Sequence, residues 1–226
     1  MAVRAVFLVG FMACGKSSLG QQLAQRLDWD FVDLDAHIEA REQQTIAEIF
    51  RDRGEPGFRV AETSALRDLT ESLDRDTLKR DTFLRNTVVA LGGGAFAQST
   101  NLELLRPWLS VFLDAPVDEL WQRSVENAAQ RPLRKDRTEF ASLHQKRLPF
   151  YRQASVTLVT SGKDATALCV EIERTLHSWE TTAGGKIGAG QAGAGKTGPE
   201  KTGPEKTGAG GSSQSPPDQS GTGETQ

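Results

Sequence analysis

Residues 10–17 read G-F-M-A-C-G-K-S and match the pattern G-x-x-x-x-G-K-[ST]. The run before them, Ala5–Val9, is apolar and predicts a β-strand, while residues 18–27 carry leucines at four-residue intervals that predict a helix. A glycine loop between a strand and a helix places backbone N–H groups and a helix N-terminus around a phosphate group. The stretch therefore predicts a binding site for a nucleoside triphosphate.

A second stretch, residues 190–197, matches the same pattern in a different setting. No apolar run precedes it and no helical period follows it, and it lies among glycine, alanine, threonine, lysine, proline and glutamate with a repeated K-T-G-P-E unit. Such a composition offers too little apolar surface to offset the conformational entropy of the chain. We therefore predict a folded domain over residues 1–180 and a disordered tail over residues 181–226.

Net charge, cysteine content and the lengths of the apolar runs limit the classes of function that the chain can have. The formal net charge is −3, which indicates no general attraction to nucleic acid or to a membrane surface. The two cysteines, Cys14 and Cys169, have no disulfide framework or zinc spacing. No signal peptide and no apolar run of membrane-spanning length are visible, so we expect a cytoplasmic protein.

Strand and helix patterns alternate along the first 180 residues. Strands are predicted at 5–9, 31–35, 87–91, 109–113 and 155–159. Helices are predicted at 18–27, 36–41, 45–51, 57–73, 102–106, 117–127, 139–151 and 165–179. This alternation predicts an α/β fold, with a parallel five-stranded sheet flanked by helices on both faces. Ligands of such sheets bind at the carboxyl ends of the strands.

Asp33 and Asp35 end the second predicted strand. Residues two apart on a strand point the same way, and two crowded carboxylates are costly unless a cation or a ligand uses them. Beside a phosphate loop, one could hold Mg²⁺ through water and the other could face a substrate hydroxyl. A solvated acidic turn remains the alternative.

The glycine triplet and three arginines are further candidates. Gly92, Gly93 and Gly94 follow the third predicted strand, where missing side chains allow close approach of a ligand, although a loose loop would look the same. Arg59 and Arg147, taken alone, are most simply solvated charges, and Glu62 offers Arg59 a local partner. Arg131 opens a basic loop that suits a lid over phosphates.

Taken together, these residues resemble the shikimate kinase family over about residues 3–178. The marks are the loop at 10–17, D-x-D at 33–35, I-A-E-I-F at 46–50, G-E-x-x-F-R-x-x-E at 54–62, L-G-G-G-A at 91–95, R-P-L at 131–133 and R-x-P-x-Y at 147–151. The resemblance implies a P-loop NTPase fold of the nucleoside-monophosphate-kinase type. It also implies transfer of the γ-phosphoryl group of ATP to the 3-hydroxyl of shikimate, in the pathway to chorismate and the aromatic amino acids.

The resemblance also implies roles for individual residues. The catalytic residues would be Lys16, Asp35 and Arg131, with Asp35 a candidate base. The residues that bind ATP would be Gly10, Ala13, Cys14, Gly15, Lys16, Ser17, Ser18 and Arg131. Ser17 and Asp33 would hold one Mg²⁺ ion. The residues that bind shikimate would be Asp35, Arg59, Gly92, Gly93, Gly94 and Arg147, with the two arginines on its carboxylate. Because members of this family are usually monomers, the resemblance also implies that this chain is a monomer.

The chain departs from the family pattern in a few places. Ala13, Cys14 and Ser18 replace more usual residues of the loop, and Ser124 stands where an arginine can face adenine. The segment 74–86 looks longer than usual, and the tail has no counterpart. A gluconate or nucleoside-monophosphate kinase, or a non-catalytic nucleotide-binding module, is the alternative function.

Overall fold

The computed structural model of the chain describes residues 3–78, 86–126 and 136–181. Three predictions lie wholly or largely outside these residues: the tail with its second loop motif, most of the charged segment 74–86, and the basic loop that Arg131 opens. In the described part of the chain, no helix is long and apolar enough to cross a membrane.

A parallel sheet forms the centre of the described residues. Its strands are β1 (Ala5–Val9), β2 (Asp30–Asp33), β3 (Thr87–Ala90), β4 (Leu109–Asp114) and β5 (Val156–Val159). They lie in the order β2-β3-β1-β4-β5, and every neighbouring pair is parallel. All residues of β1 and β3 are buried, as expected of central strands covered on both faces. The prediction of a parallel five-stranded α/β fold is confirmed.

The helices follow the predicted order with shifted ends. They are α1 (Lys16–Leu27), α2 (Leu34–Glu42), α3 (Ile46–Leu78), α4 (Ser99–Leu105), α5 (Val117–Glu126), α6 (Arg137–Tyr151) and α7 (Ala165–Thr181), with a 3₁₀ turn at Ala95–Ala97. The predicted helices 45–51 and 57–73 are two parts of α3. They meet at Gly54, whose backbone is not helical (φ 67°, ψ −177°).

One predicted boundary is wrong in a way that matters for the site. The second strand ends at Asp33 instead of at Asp35. The Asp33 carboxylate accepts hydrogen bonds from the backbone N–H groups of Asp35 (3.0 Å) and Ala36 (3.5 Å), so it caps α2 and ends the strand. Asp35 therefore lies in the first turn of α2, and the argument from strand alternation does not apply to this pair.

Candidate active site

The loop between β1 and α1 has an unusual backbone. Gly10, Ala13 and Gly15 all have positive φ values, of 146°, 63° and 92°. A Cβ at Gly10 would lie 2.9 Å from Cys14 Sγ and 3.0 Å from the Leu113 carbonyl oxygen, so no larger residue fits there. This curled backbone has the form that the phosphate-loop pattern predicts.

Lys16 and the start of α1 complete the loop. The ammonium group of Lys16 donates hydrogen bonds to the carbonyl oxygens of Gly10 (3.0 Å) and Phe11 (2.9 Å) and approaches Cys14 Sγ at 3.6 Å. Gly15 is the N-cap residue and provides no side-chain cap. The N–H groups of the first turn, which includes Ser17 and Ser18, therefore suit an anion such as a phosphate group.

Ser17 and Asp33 lie together at the edge of this loop. The Ser17 hydroxyl donates to Asp33 Oδ2 at 2.6 Å, while Asp33 Oδ1 caps α2. A hydroxyl and a carboxylate are the hard oxygen ligands that Mg²⁺ takes, together with water and phosphate oxygens. The chemistry of this pair fits the predicted ion.

Asp35 faces the glycine triplet from α2. A Cβ at Gly92 would lie 2.5 Å from Asp35 Oδ1, so the carboxylate packs directly on the backbone of the triplet. Arg147 reaches the same backbone from α6, because its Nη1 donates to the Gly93 carbonyl oxygen at 3.1 Å. The Tyr151 hydroxyl donates to the same carbonyl oxygen.

Arg59 reaches the triplet from α3. Only 19% of its side chain is exposed, which excludes a simple solvated charge. Its Nη1 donates to Glu62 Oε2 at 2.8 Å, and its Nη2 lies 3.0 Å from Glu55 Oε1. A Cβ at Gly94 would lie 2.5 Å from Nη1, so the guanidinium group occupies the space that a side chain would fill. Burial tends to lower the pKa of Arg59, but Glu62 and Glu55 hold it above its usual value.

Glu62 is the buried anion of the site. Its side chain is 1% exposed, and burial raises its pKa despite the opposing charge of Arg59. Asp35 raises the pKa further, and Arg147 lowers it. The sequence identified Glu62 as a local partner of Arg59, through the spacing of three residues, and as the last position of the motif at 54–62, but gave it no role in the site. Its burial depends on packing that has no local signal.

Two further positions singled out from the sequence are Arg131 and Ser124. Arg131 lies outside the described residues, so its place on ATP stays a prediction. Ser124 is buried, and its hydroxyl donates to the Trp121 carbonyl oxygen at 2.7 Å, while the neighbouring Arg123 pairs with Glu119 at 3.1 Å.

Comparison with known proteins decides the family. The family model described as shikimate kinase matches residues 12–177. The shikimate kinase of Persephonella marina is 34% identical over 171 residues, which are 75% of this chain and 97% of that protein. The chain belongs to the shikimate kinase family.

Solved structures agree with the family. The shikimate kinase of Acinetobacter baumannii, in complex with shikimate, is 32% identical, has a TM-score of 0.68 and covers 78% of this chain and 94% of its own. The shikimate kinase of Bacteroides thetaiotaomicron is also 32% identical, with a TM-score of 0.65 and coverage of 76% and 98%. The predicted family and fold are confirmed.

The predicted enzyme class and reaction are confirmed with the family. The chain is an ATP-dependent phosphotransferase that acts on an alcohol group. It transfers the γ-phosphoryl group of ATP to the 3-hydroxyl of shikimate, giving 3-phosphoshikimate and ADP, in the pathway to chorismate and the aromatic amino acids. The alternative acceptors and the non-catalytic module are set aside.

Proposed function

We propose that shikimate binds against Gly92, Gly93 and Gly94, with ATP in the neighbouring loop. The observation that carries the proposal is the convergence of Asp35, Arg59 and Arg147 on this triplet from three different helices. A carboxylate beside two guanidinium groups suits a small acid that also carries hydroxyls.

The ATP side of the site is made by the loop. Its residues are Gly10, Ala13, Cys14, Gly15, Lys16, Ser17 and Ser18. Backbone N–H groups bind the phosphates. Lys16 gives up its hydrogen bonds to the carbonyl oxygens of the loop and binds phosphate oxygens instead, so that its positive charge balances the negative charge of the transferred group. Ser17 and Asp33 would hold one Mg²⁺ ion, which when bound neutralises charge on the phosphate oxygens.

The shikimate side is made by the three helices and the triplet. Guanidinium groups bind a carboxylate through paired hydrogen bonds, so Arg59 and Arg147 fix the orientation of the acid. The ring lies along the backbone of the triplet. Asp35 accepts the hydrogen bond of the 3-hydroxyl and takes its proton as the hydroxyl oxygen bonds to the γ-phosphorus and ADP leaves.

The remaining properties follow the same proposal. ATP and shikimate are the partners, and the enzyme acts as a cytoplasmic monomer that binds neither nucleic acid nor membrane. Family membership is consistent with ATP and shikimate as the substrates.

The role of Asp35 is tested by Asp35→Asn. The amide still contacts the substrate but cannot take a proton, so we expect kcat to fall by about a hundredfold or more while shikimate binding, measured by calorimetry, stays close to wild type. Asp118→Asn is the control, because Asp118 pairs with Arg137 on the exposed surface. A kcat close to wild type for Asp35→Asn would remove Asp35 from the catalytic residues.

A further inference from the structure

Gln98 connects the glycine triplet to the buried carboxylate of α3. It follows the 3₁₀ turn Ala95–Ala97, which itself begins directly after Gly94. Its side-chain Nε2 donates a hydrogen bond to Glu62 Oε2. This amide group therefore links the segment that leaves the triplet to α3.

The backbone around Gln98 is held on both sides. The Gln98 N–H donates to the Ala95 carbonyl oxygen at 3.4 Å, and the Gln98 carbonyl oxygen accepts from the Leu102 N–H at 3.0 Å. The turn itself is closed by a hydrogen bond from Ala97 N–H to the Gly94 carbonyl oxygen at 3.1 Å. The amide is thus presented to Glu62 from a fixed backbone.

The two oxygens of Glu62 have different surroundings. Oε2 accepts from both Arg59 Nη1 (2.8 Å) and Gln98 Nε2. Oε1 faces the backbone of Gly92, where a Cβ would lie 3.2 Å away. Because Glu62 is 1% exposed, water cannot easily replace a lost donor. Both donors act on one oxygen and so fix the rotation of the carboxylate.

We propose that Gln98 is a positioning residue for shikimate binding, because its amide fixes Glu62 Oε2 and, through it, the guanidinium group of Arg59. The inference rests on the proposed function, in which Arg59 binds the carboxylate of shikimate. Without the amide, Glu62 Oε2 keeps the hydrogen bond from Arg59 Nη1 but loses the donor from Gln98. The carboxylate then rotates more easily, and Arg59 is held less firmly.

The charges around Glu62 explain why a neutral donor suits this place. The charged groups that face Glu62 are Arg59 on its own helix, Asp35 on α2 and Arg147 on α6. Burial raises the pKa of Glu62, and Asp35 adds to that effect. The amide of Gln98 stabilises the ionised carboxylate without changing the net charge of the site. Its loss makes Glu62 easier to protonate.

The first test is Gln98→Met, which keeps the side-chain length and removes the donor. We expect the KM for shikimate to rise about tenfold, with kcat and the KM for ATP close to wild type. The rise grows as the pH is lowered, because loss of the amide makes Glu62 easier to protonate and a protonated Glu62 no longer pairs with Arg59. Gln44→Met is the control, since Gln44 also donates to a carboxylate, that of Asp52, at 3.3 Å.

A double-mutant cycle separates positioning from general stability. If Gln98 acts through Glu62, Gln98→Met adds almost nothing to the KM for shikimate once Glu62→Gln is present. A full additional tenfold rise in that background would overturn the inference, as would an unchanged KM in the single variant.

Gln98→Glu provides an independent test of the contact between residue 98 and Glu62. It places a second carboxylate against Glu62, and a shared proton restores the hydrogen bond. We therefore expect its KM for shikimate to fall as the pH is lowered, opposite to Gln98→Met. An equal slope in both variants would contradict the inference, and this readout remains if Gln98→Met does not fold.

Arg59→Ala distinguishes a failure of the Gln98 inference from a failure of the proposed carboxylate site. If Arg59→Ala raises the KM for shikimate and Gln98→Met leaves it unchanged, only the role of Gln98 fails. If Arg59→Ala also leaves it unchanged, the proposed carboxylate site fails as well.

Discussion

Arg59 is paired with two carboxylates of very different exposure. Glu62 is 1% exposed and Glu55 is 64% exposed, while Arg59 itself is 19% exposed. An exposed ion pair is worth little, whereas a buried one fixes its partners. We infer that Glu62 orients the guanidinium group and that an incoming carboxylate displaces Glu55 from it.

At the scale of this residue, Arg59→Ala should raise the KM for shikimate by about thirtyfold, which corresponds to roughly 2 kcal/mol of lost binding. Steady-state kinetics with shikimate as the varied substrate measure it. Arg53→Ala is the control, because Arg53 also pairs with a carboxylate, that of Glu42 at 2.7 Å. Unchanged kinetics in Arg59→Ala would refute its assigned role.

If the carboxylate of shikimate displaces Glu55 from Arg59, the charge of Glu55 should weaken shikimate binding. Glu55→Gln removes the competing charge while keeping the side-chain size, so we expect the KM for shikimate to fall by up to about threefold. The effect should shrink as salt is added, because Glu55 is exposed to solvent and its charge is screened. A higher KM in this variant would show instead that Glu55 helps to hold Arg59 for the substrate.

The substitution Gly94→Ala tests whether the guanidinium group of Arg59 occupies the space beside Gly94. Its φ of −104° is accessible to alanine, so Gly94→Ala adds a methyl group without backbone strain. That methyl would lie 2.5 Å from Arg59 Nη1 and must displace it. We expect a raised KM for shikimate and an unchanged KM for ATP. If both constants stay at wild-type values, the guanidinium group has more freedom than the structure indicates.

At the scale of the element, Asp33 serves two structures at once. It caps α2 through Oδ1 and accepts from Ser17 through Oδ2. Asp33→Ala should therefore lower the free energy of unfolding by about 1 kcal/mol and raise the Mg²⁺ concentration needed for half-maximal activity. Chemical denaturation and Mg²⁺ titration measure the two effects.

Asp136 offers a matched control for this prediction. Its carboxylate caps α6 by accepting from the Glu139 N–H at 2.7 Å, and it lies outside the loop at residues 10–17 and away from the Ser17–Asp33 pair in the chain. Asp136→Ala should lose similar stability without changing the Mg²⁺ dependence. A shifted Mg²⁺ dependence in both variants would indicate that lost stability alone explains it.

The same elements show which features the sequence could predict. Lys16 and Ser17 belong to a contiguous loop between a strand and a helix. The local sequence pattern was therefore sufficient to predict where these two residues lie in the fold. The role of Asp33 as a cap depends on side-chain hydrogen bonds that end β2 early, and strand alternation placed Asp35 wrongly for that reason. The partnership of Glu62 with Gln98 joins residues 36 apart in the chain, and only the folded sheet and helices bring them together.

At the scale of the whole molecule, the tail is predicted to be dispensable. Residues 182–226 have a composition too poor in apolar side chains to form a core of their own. Deleting them should leave kcat, both KM values and the melting temperature close to those of the full chain. A melting temperature lower by many degrees would show that the tail packs on the domain.

The central claim is that this chain phosphorylates shikimate through the site described above. The most direct measurement is ADP release by the purified protein with Mg·ATP, in the presence of shikimate, of gluconate, or of no acceptor, with Lys16→Met as the inactive control. The account predicts release that depends on shikimate, with gluconate close to the background. Measurable ATP binding without shikimate-dependent release would contradict it.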